Sequence, residues 1–196
     1  MIEVTINAGH NNWLNQEKLR DALRRVYHDS FSSEYKVIVP TLLRPKNTVR
    51  IDITFKRDNQ KIAVEYDGYW HYINTRKCIR DEKKKKALEE EDYKVICFPF
   101  YMELTTESFS HFFGKEVKGE VVTIRNIDPK PLPHGFNETE WMPIDFCPKG
   151  LARFLAEYES LPSKIQDDIT VSLKEQAKLV GMENVVQKEY WEKLKI

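Results

Sequence analysis

The sequence predicts an α/β fold: a small central sheet flanked by helices, with a helical piece at the C-terminal end. Two alternating apolar runs, at 50–55 and 61–66, are separated by five residues, of which Arg57-Asp58-Asn59-Gln60 reads as the turn. The run at 93–98 is apolar enough for a buried strand, and helical periodicity appears before, between and after these runs.

In chain order, Asn15 to His28 is predicted as a helix, with Leu19, Ala22, Leu23 and Val26 forming its apolar stripe. Lys36 to Pro40 is a short strand, followed by a proline-containing loop to about Asn47. The hairpin of 50–66 comes next, then Gly68, which reads as the residue that lets the chain turn at the strand end. Thr75 to Glu91 has helical composition, Tyr93 to Phe98 reads as a strand, and Val117 to Ile124 as another. Pro129, Pro131, Pro133, Pro143 and Pro148 mark 127–148 as a linker or wrapped loop. Helices are expected at about 150–160, 162–180 and 183–195, with Pro162 near a start and Gly181 at a stop. The expected organisation is a core over 1–126, the linker over 127–148 and a helical C-terminal region over 149–196.

At 196 residues the chain can bury a real core, and 41% hydrophobic content marks it as globular. Lys+Arg and Asp+Glu both number 31, so any basic surface for a polyanion must be local. Cys78, Cys97 and Cys147 are odd in number and lack metal-ligand spacing, which suits free thiols in a reducing compartment. The sequence shows no signal peptide and no membrane-length apolar run, so a cytoplasmic location away from membranes is expected.

The hairpin carries the chemistry. Alternation puts Ile51, Ile53 and Phe55 on one face of the first strand, with Asp52 and Thr54 on the other. In the second strand, Ile62, Val64 and Tyr66 oppose Ala63 and Glu65. Folding about Asp58–Asn59 sets 57 against 60 and 56 against 61, and therefore 52 against 65. Two carboxylates so placed stand with Cβ atoms roughly 5 Å apart, and they repel unless something positive lies between them. A divalent cation meets that need, since Mg²⁺ is held by one or two carboxylates with waters and phosphate oxygens. The plainer alternative is a solvated sheet face on which two acids align.

Just beyond Glu65 runs Asp67-Gly68-Tyr69-Trp70-His71. His71 suits a proton carrier or a donor to a phosphate; otherwise it is a structural histidine packed beside Trp70. Asp67 shares Glu65's face and reads as a metal ligand, a partner of His71 or a turn former.

This set, Asp52…Glu65-Tyr66-Asp67-Gly68-Tyr69-Trp70-His71, resembles the core of the very-short-patch-repair type endonucleases and their relatives in the PD-(D/E)XK nuclease superfamily. Arg80-Asp81, Leu88, Tyr93 and Val95-Ile96-Cys97-Phe98 continue the likeness, which spans roughly residues 13–103, about half the chain. The resemblance implies a restriction-endonuclease-like core, a mixed central sheet flanked by helices. It also implies metal-assisted phosphodiester hydrolysis, with Asp52 and Glu65 on Mg²⁺ (Mn²⁺ as a substitute), Asp67 joining them, and His71 orienting water or assisting the leaving oxygen. Three departures stand out. Asp67 occupies the place of the superfamily lysine, so no lysine is assigned as base. Asp92 stands where relatives carry glycine. The helix-borne glutamate of many relatives falls at Gln16 or Glu17, of which Glu17 is the candidate ligand.

Arg76, Lys77, Arg80 and Lys83 to Lys86 form a positive stretch directly after His71. Arg76, Lys77, Arg80, Lys83 and Lys84 are expected to hold a DNA backbone, with Arg44, Lys46 and Arg50 adding to it; the alternative is a solvated helix face balanced by nearby glutamates. The expected function is a Mg²⁺-dependent DNA endonuclease, restriction-like or strand-nicking, acting as a homodimer or with a partner subunit. The alternative is a non-catalytic nucleic-acid-binding or assembly module of the same fold, and RNA is a further candidate substrate.

Overall fold

A mixed four-stranded sheet organises the chain, in a computed structural model that describes residues 14–27, 31–38, 48–102, 104–114 and 143–179. Strands β1 (Ser32–Ile38), β2 (Thr48–Arg57), β3 (Gln60–Asp67) and β4 (Tyr93–Pro99) lie side by side in chain order. Strand β2 pairs antiparallel with β1 and with β3, whereas β4 runs parallel to β3. A parallel neighbour needs a crossover, which helices α2 (Trp70–Ile73) and α3 (Thr75–Glu89) supply. Helix α1 (Gln16–Tyr27) precedes the sheet. Helix α4 (Thr106–Phe113), a 3-10 turn at Pro143–Asp145, and helices α5 (Pro148–Ser160) and α6 (Ser163–Leu179) follow it.

The turn sets the hairpin register. Asp58 and Asn59 both adopt positive φ, 48° and 64°, the two-residue geometry that matches strand twist. Arg57 pairs with Gln60 and Lys56 with Lys61, as expected, and the ladder continues to Ile53 opposite Val64. The expected pairing of Asp52 with Glu65, one step further, is not part of the ladder. An unbroken ladder would bring the Tyr66 N–H to the Ile51 carbonyl. Instead the Tyr66 N–H donates to Asp52 Oδ2 at 3.1 Å. The apolar face of β2 divides at this point. Ile53 and Phe55 join Ile62 and Val64 in the main core, whereas Val49 and Ile51 join Ala63, Ala87 and Leu88 in a second cluster. The single Ile51/Ile53/Phe55 face expected from alternation is therefore split.

Helix α1 begins where Asn15 Oδ1 accepts from the Lys18 amide, and it buries Leu19, Ala22, Leu23 and Val26 as its stripe requires. Strand β1 starts at Ser32, ahead of the expected Lys36. Helix α4 was not among the expected elements. A Thr105/Ser108 capping box starts it, and Phe109 and Phe113 pay for its short length by burial. Pro148, expected to break structure, opens α5 as its first residue, where the missing N–H costs nothing. Gly68 has no positive φ and open space around it, so the turn there does not require glycine. Asp92 does adopt positive φ, 63°, and is the residue that turns the chain into β4.

Phe154, Tyr158, Ile165, Ile169 and Leu173 belong to the same core cluster as Leu19, Leu23, Phe55 and Phe98. Helices α5 and α6 thus share the core of the sheet. The expected strand at 117–124, the helix at 183–195, and Arg44 and Lys46 lie outside the described residues. Among those described, no helix is long and apolar enough to cross a membrane.

Candidate functional site

Asp52 and Glu65 open into one cleft of about 1160 Å³, between the polar end of the hairpin and α3. Glu65 reaches it because alternation on β3 turns Ala63 and Glu65 away from the Ile62/Val64 core. Its side chain is 11% exposed. Lys84 Nζ donates to Glu65 Oε2 at 2.5 Å, while Glu65 Oε1 is buried and accepts no hydrogen bond from any described residue. Burial pushes the Glu65 carboxyl up to about 7; Lys84 opposes this, and the charges of Asp52 and Asp67 add to it.

Two residues along the same face of β3, Asp67 lies in the opposite condition. One oxygen is 3.0 Å from His71 Nδ1, and the other accepts from Arg153 Nη2 of α5. Asp81 Oδ2 of α3 lies 2.6 Å from the same His71 Nδ1. Burial alone would raise Asp67, but the His71 hydrogen bond and the Arg153 guanidinium outweigh it and hold the carboxyl at about 2. Burial would lower His71, and its bonds to Asp67 and Asp81 reverse that, so its pKa is raised. The ring thus carries its proton on Nδ1 between two acids, and Nε2 is the nitrogen that remains. His71 lines the cleft.

Asp67, His71 and Asp81 bring three ligand-type atoms within 4.8 Å of one another. A cation there would meet the Arg153 guanidinium already on Asp67, and a proton on His71 satisfies the same atoms. The donor set that suits a hard divalent cation is Asp52 with Glu65, oxygen ligands of which one is buried and without a partner.

Of the residues singled out in the sequence, Asp52, Glu65 and His71 meet in the cleft. Asp67 stands behind His71 as its partner. Glu17 does not join them: it is exposed, on the side of α1 away from the buried stripe, and Gln16 and Arg20 face the cleft instead. Arg76, Lys77, Arg80 and Lys83 line the cleft, and Arg50 does so from β2. Lys84, expected on DNA, is bound to Glu65. Its spacing carried the signal, because Lys77, Asp81, Lys84 and Leu88 recur at helical period and all four are at least half-buried. Arg153 and Glu157 were missed. Their i,i+4 spacing beside buried Phe154 and Tyr158 is readable, but the acid that Arg153 meets, 86 positions earlier, is not.

No family model, curated protein or solved structure matches this chain.

Proposed function

We propose that the chain is a divalent-cation-dependent nuclease that hydrolyses phosphodiester bonds of DNA, built on a restriction-endonuclease-like core. The observation that carries this reading is the Asp52/Glu65 pair in a basic cleft, with Glu65 Oε1 buried and unsatisfied. An unpaired buried carboxylate oxygen is costly, and a cation held by Asp52 and Glu65 removes that cost. Such a cation supplies Lewis acidity toward the phosphoryl group and lowers the pKa of water, with Mg²⁺ as the first candidate and Mn²⁺ as a substitute.

The chain's own residues do the rest. Arg76, Lys77, Arg80 and Lys83 attract and align the backbone. His71, with Nδ1 fixed by Asp67 and Asp81, offers Nε2 to a phosphate oxygen or to the leaving oxygen. Lys84, held on Glu65 Oε2, offsets the charge of that carboxylate and leaves Oε1 to the cation. One pair of acids serves one scissile bond at a time. A single chain therefore nicks, and cutting both strands requires a second copy or a partner subunit.

Lys84 on Glu65 favours a second reading, in which the ion pair is permanent and the chain is a non-catalytic nucleic-acid-binding module. Supercoiled plasmid with Mg²⁺ or Mn²⁺ separates the two. Wild type should nick it, and Asp52→Asn, which keeps an acceptor for the Tyr66 amide, should be slower by roughly 10³-fold. Binding without nicking under either metal supports the module, and a parallel arm with structured and single-stranded RNA checks the choice of DNA.

A further inference from the structure

We infer that Arg153 and Glu157 of helix α5 are positioning residues for His71, so that the C-terminal helices complete the site; this rests on the nuclease reading above. Arg153 spans two acids, with Nε donating to Glu157 Oε1 at 2.7 Å and Nη2 donating to Asp67 Oδ2. Its guanidinium lies over the Tyr72 ring, 4.8 Å from the centroid. Glu157 is held in turn, since Oε2 accepts from Tyr72 Oη at 2.8 Å and from Tyr101 Oη at 2.6 Å. Each group in this chain has one orientation fixed by the next, and it ends at His71 Nδ1.

Asp67 divides its two oxygens between Arg153 and His71. Arg153 therefore fixes the rotamer of one of the two acids on His71 Nδ1, Asp81 of α3 being the other at 2.6 Å, in the way that an outer partner orients a working side chain. The docking of α5 is equally specific. A Cβ on Gly150 would lie 1.8 Å from the Tyr72 carbonyl oxygen, so α5 approaches α2 as closely as the backbone allows. The Cys147 N–H donates to that same carbonyl at 3.1 Å, one residue beyond His71. A helix that only covered apolar surface would need neither the close approach nor a guanidinium shared between buried Asp67 and half-buried Glu157.

The test uses the full chain labelled with [¹⁵N]histidine, His71 being assigned among the five histidines with His71→Gln. Arg153→Met/Glu157→Gln removes both charges of the α5 pair and leaves an acceptor for the two tyrosines. Folding is checked by thermal melting. The expected result is a His71 ring that loses its fixed Nδ1–H signature while the other four histidines keep their signals. Plasmid nicking should fall by roughly 10-fold to 100-fold. If the double variant does not fold, Arg153→Lys decides, because an ammonium cannot hold both acids in the guanidinium geometry, and the same His71 change is expected.

An unchanged His71 spectrum in a folded variant overturns the proposal, as does a changed spectrum with unchanged nicking. Loss of nicking that merely follows a lowered melting temperature, with His71 unchanged, also overturns it. If wild type nicks nothing, the nuclease reading fails while the His71 signals still decide whether α5 sets the ring.

Discussion

Glu65 and Asp67 stand two residues apart on one face of β3, and both are buried, yet the protein treats them in opposite ways. Asp67 has a partner for each oxygen, Arg153 and His71, and its carboxyl is held at about 2. Glu65 has Lys84 on one oxygen and nothing on the other, and burial pushes it up to about 7. Burial is the same unfavourable influence in both, so the difference lies in the partners. Asp67 is a completed structural charge, whereas Glu65 is left short of positive charge beside Asp52. The shortage is local, because the same cleft is rimmed with lysine and arginine. Of the two, only Glu65 keeps an oxygen without a partner among the described residues.

The largest stability effect that would sharpen this contrast concerns Glu65 without metal. Its folded pKa lies above its unfolded value of 4.5, so the proton is held longer in the folded chain. Stability should be greatest below pH 4.5 and fall as pH rises through about 7, by on the order of 3 kcal/mol. Denaturant unfolding against pH reads this directly, and Glu65→Gln should flatten that part of the curve. An unflattened curve would mean that Lys84 already compensates the charge. Adding Mg²⁺ or Mn²⁺ at 100-fold excess over its Kd should return about 2.7 kcal/mol to wild type at pH 8 and none to Glu65→Gln.

Asp67 should behave in the opposite sense. Its folded pKa is depressed from 3.8, so its contribution is present above that value and is lost as pH falls through about 2. The contribution is about 2 kcal/mol, and Asp67→Asn should remove the acid dependence while lowering stability at pH 7. If that variant is as stable as wild type at neutral pH, the two acids are not different in kind.

The smallest effect separates lysines of the same helix. Lys83→Gln and Lys86→Gln should each reduce the salt slope of DNA binding by roughly 0.9 if the side chain meets a phosphate. Lys84→Gln should slow nicking with a smaller change in slope, because its ammonium is on Glu65. Equal slopes for all three, by fluorescence anisotropy against salt, would place Lys84 on the same solvated face as its neighbours.

The hairpin was the most legible part of the molecule. Asp58-Asn59 dictated the turn, and the turn dictated the register as far as Ile53 opposite Val64, one step short of the expected pairing of Asp52 with Glu65. Helix α1 followed from its apolar spacing and α3 from its composition. What escaped was set at long range. The departure of β2 from β3 at Asp52 depends on a side chain replacing a carbonyl as acceptor, which alternation does not encode. Glu17 was misplaced because neighbouring positions on a helix lie about 100° apart, and a wheel drawn without the sheet does not say which edge faces a site. Lys84 was hidden in a run of four lysines whose composition reads as solvated. Arg153 lay beyond the prolines, in a segment whose pairing with β3 no local pattern announces.

The close seam between Gly150 and the Tyr72 carbonyl has a practical side for anyone cutting or grafting this chain. A fragment that stops after α4 keeps both strands of the hairpin and every acid of the cleft, but it strips the guanidinium from Asp67. That carboxylate would be left in an interior with no counterion except an imidazole it shares with Asp81. The shortest portable version of this site therefore runs through α6, whose Ile165, Ile169 and Leu173 share the core with α5, and an added methyl at 150 should disturb the same seam.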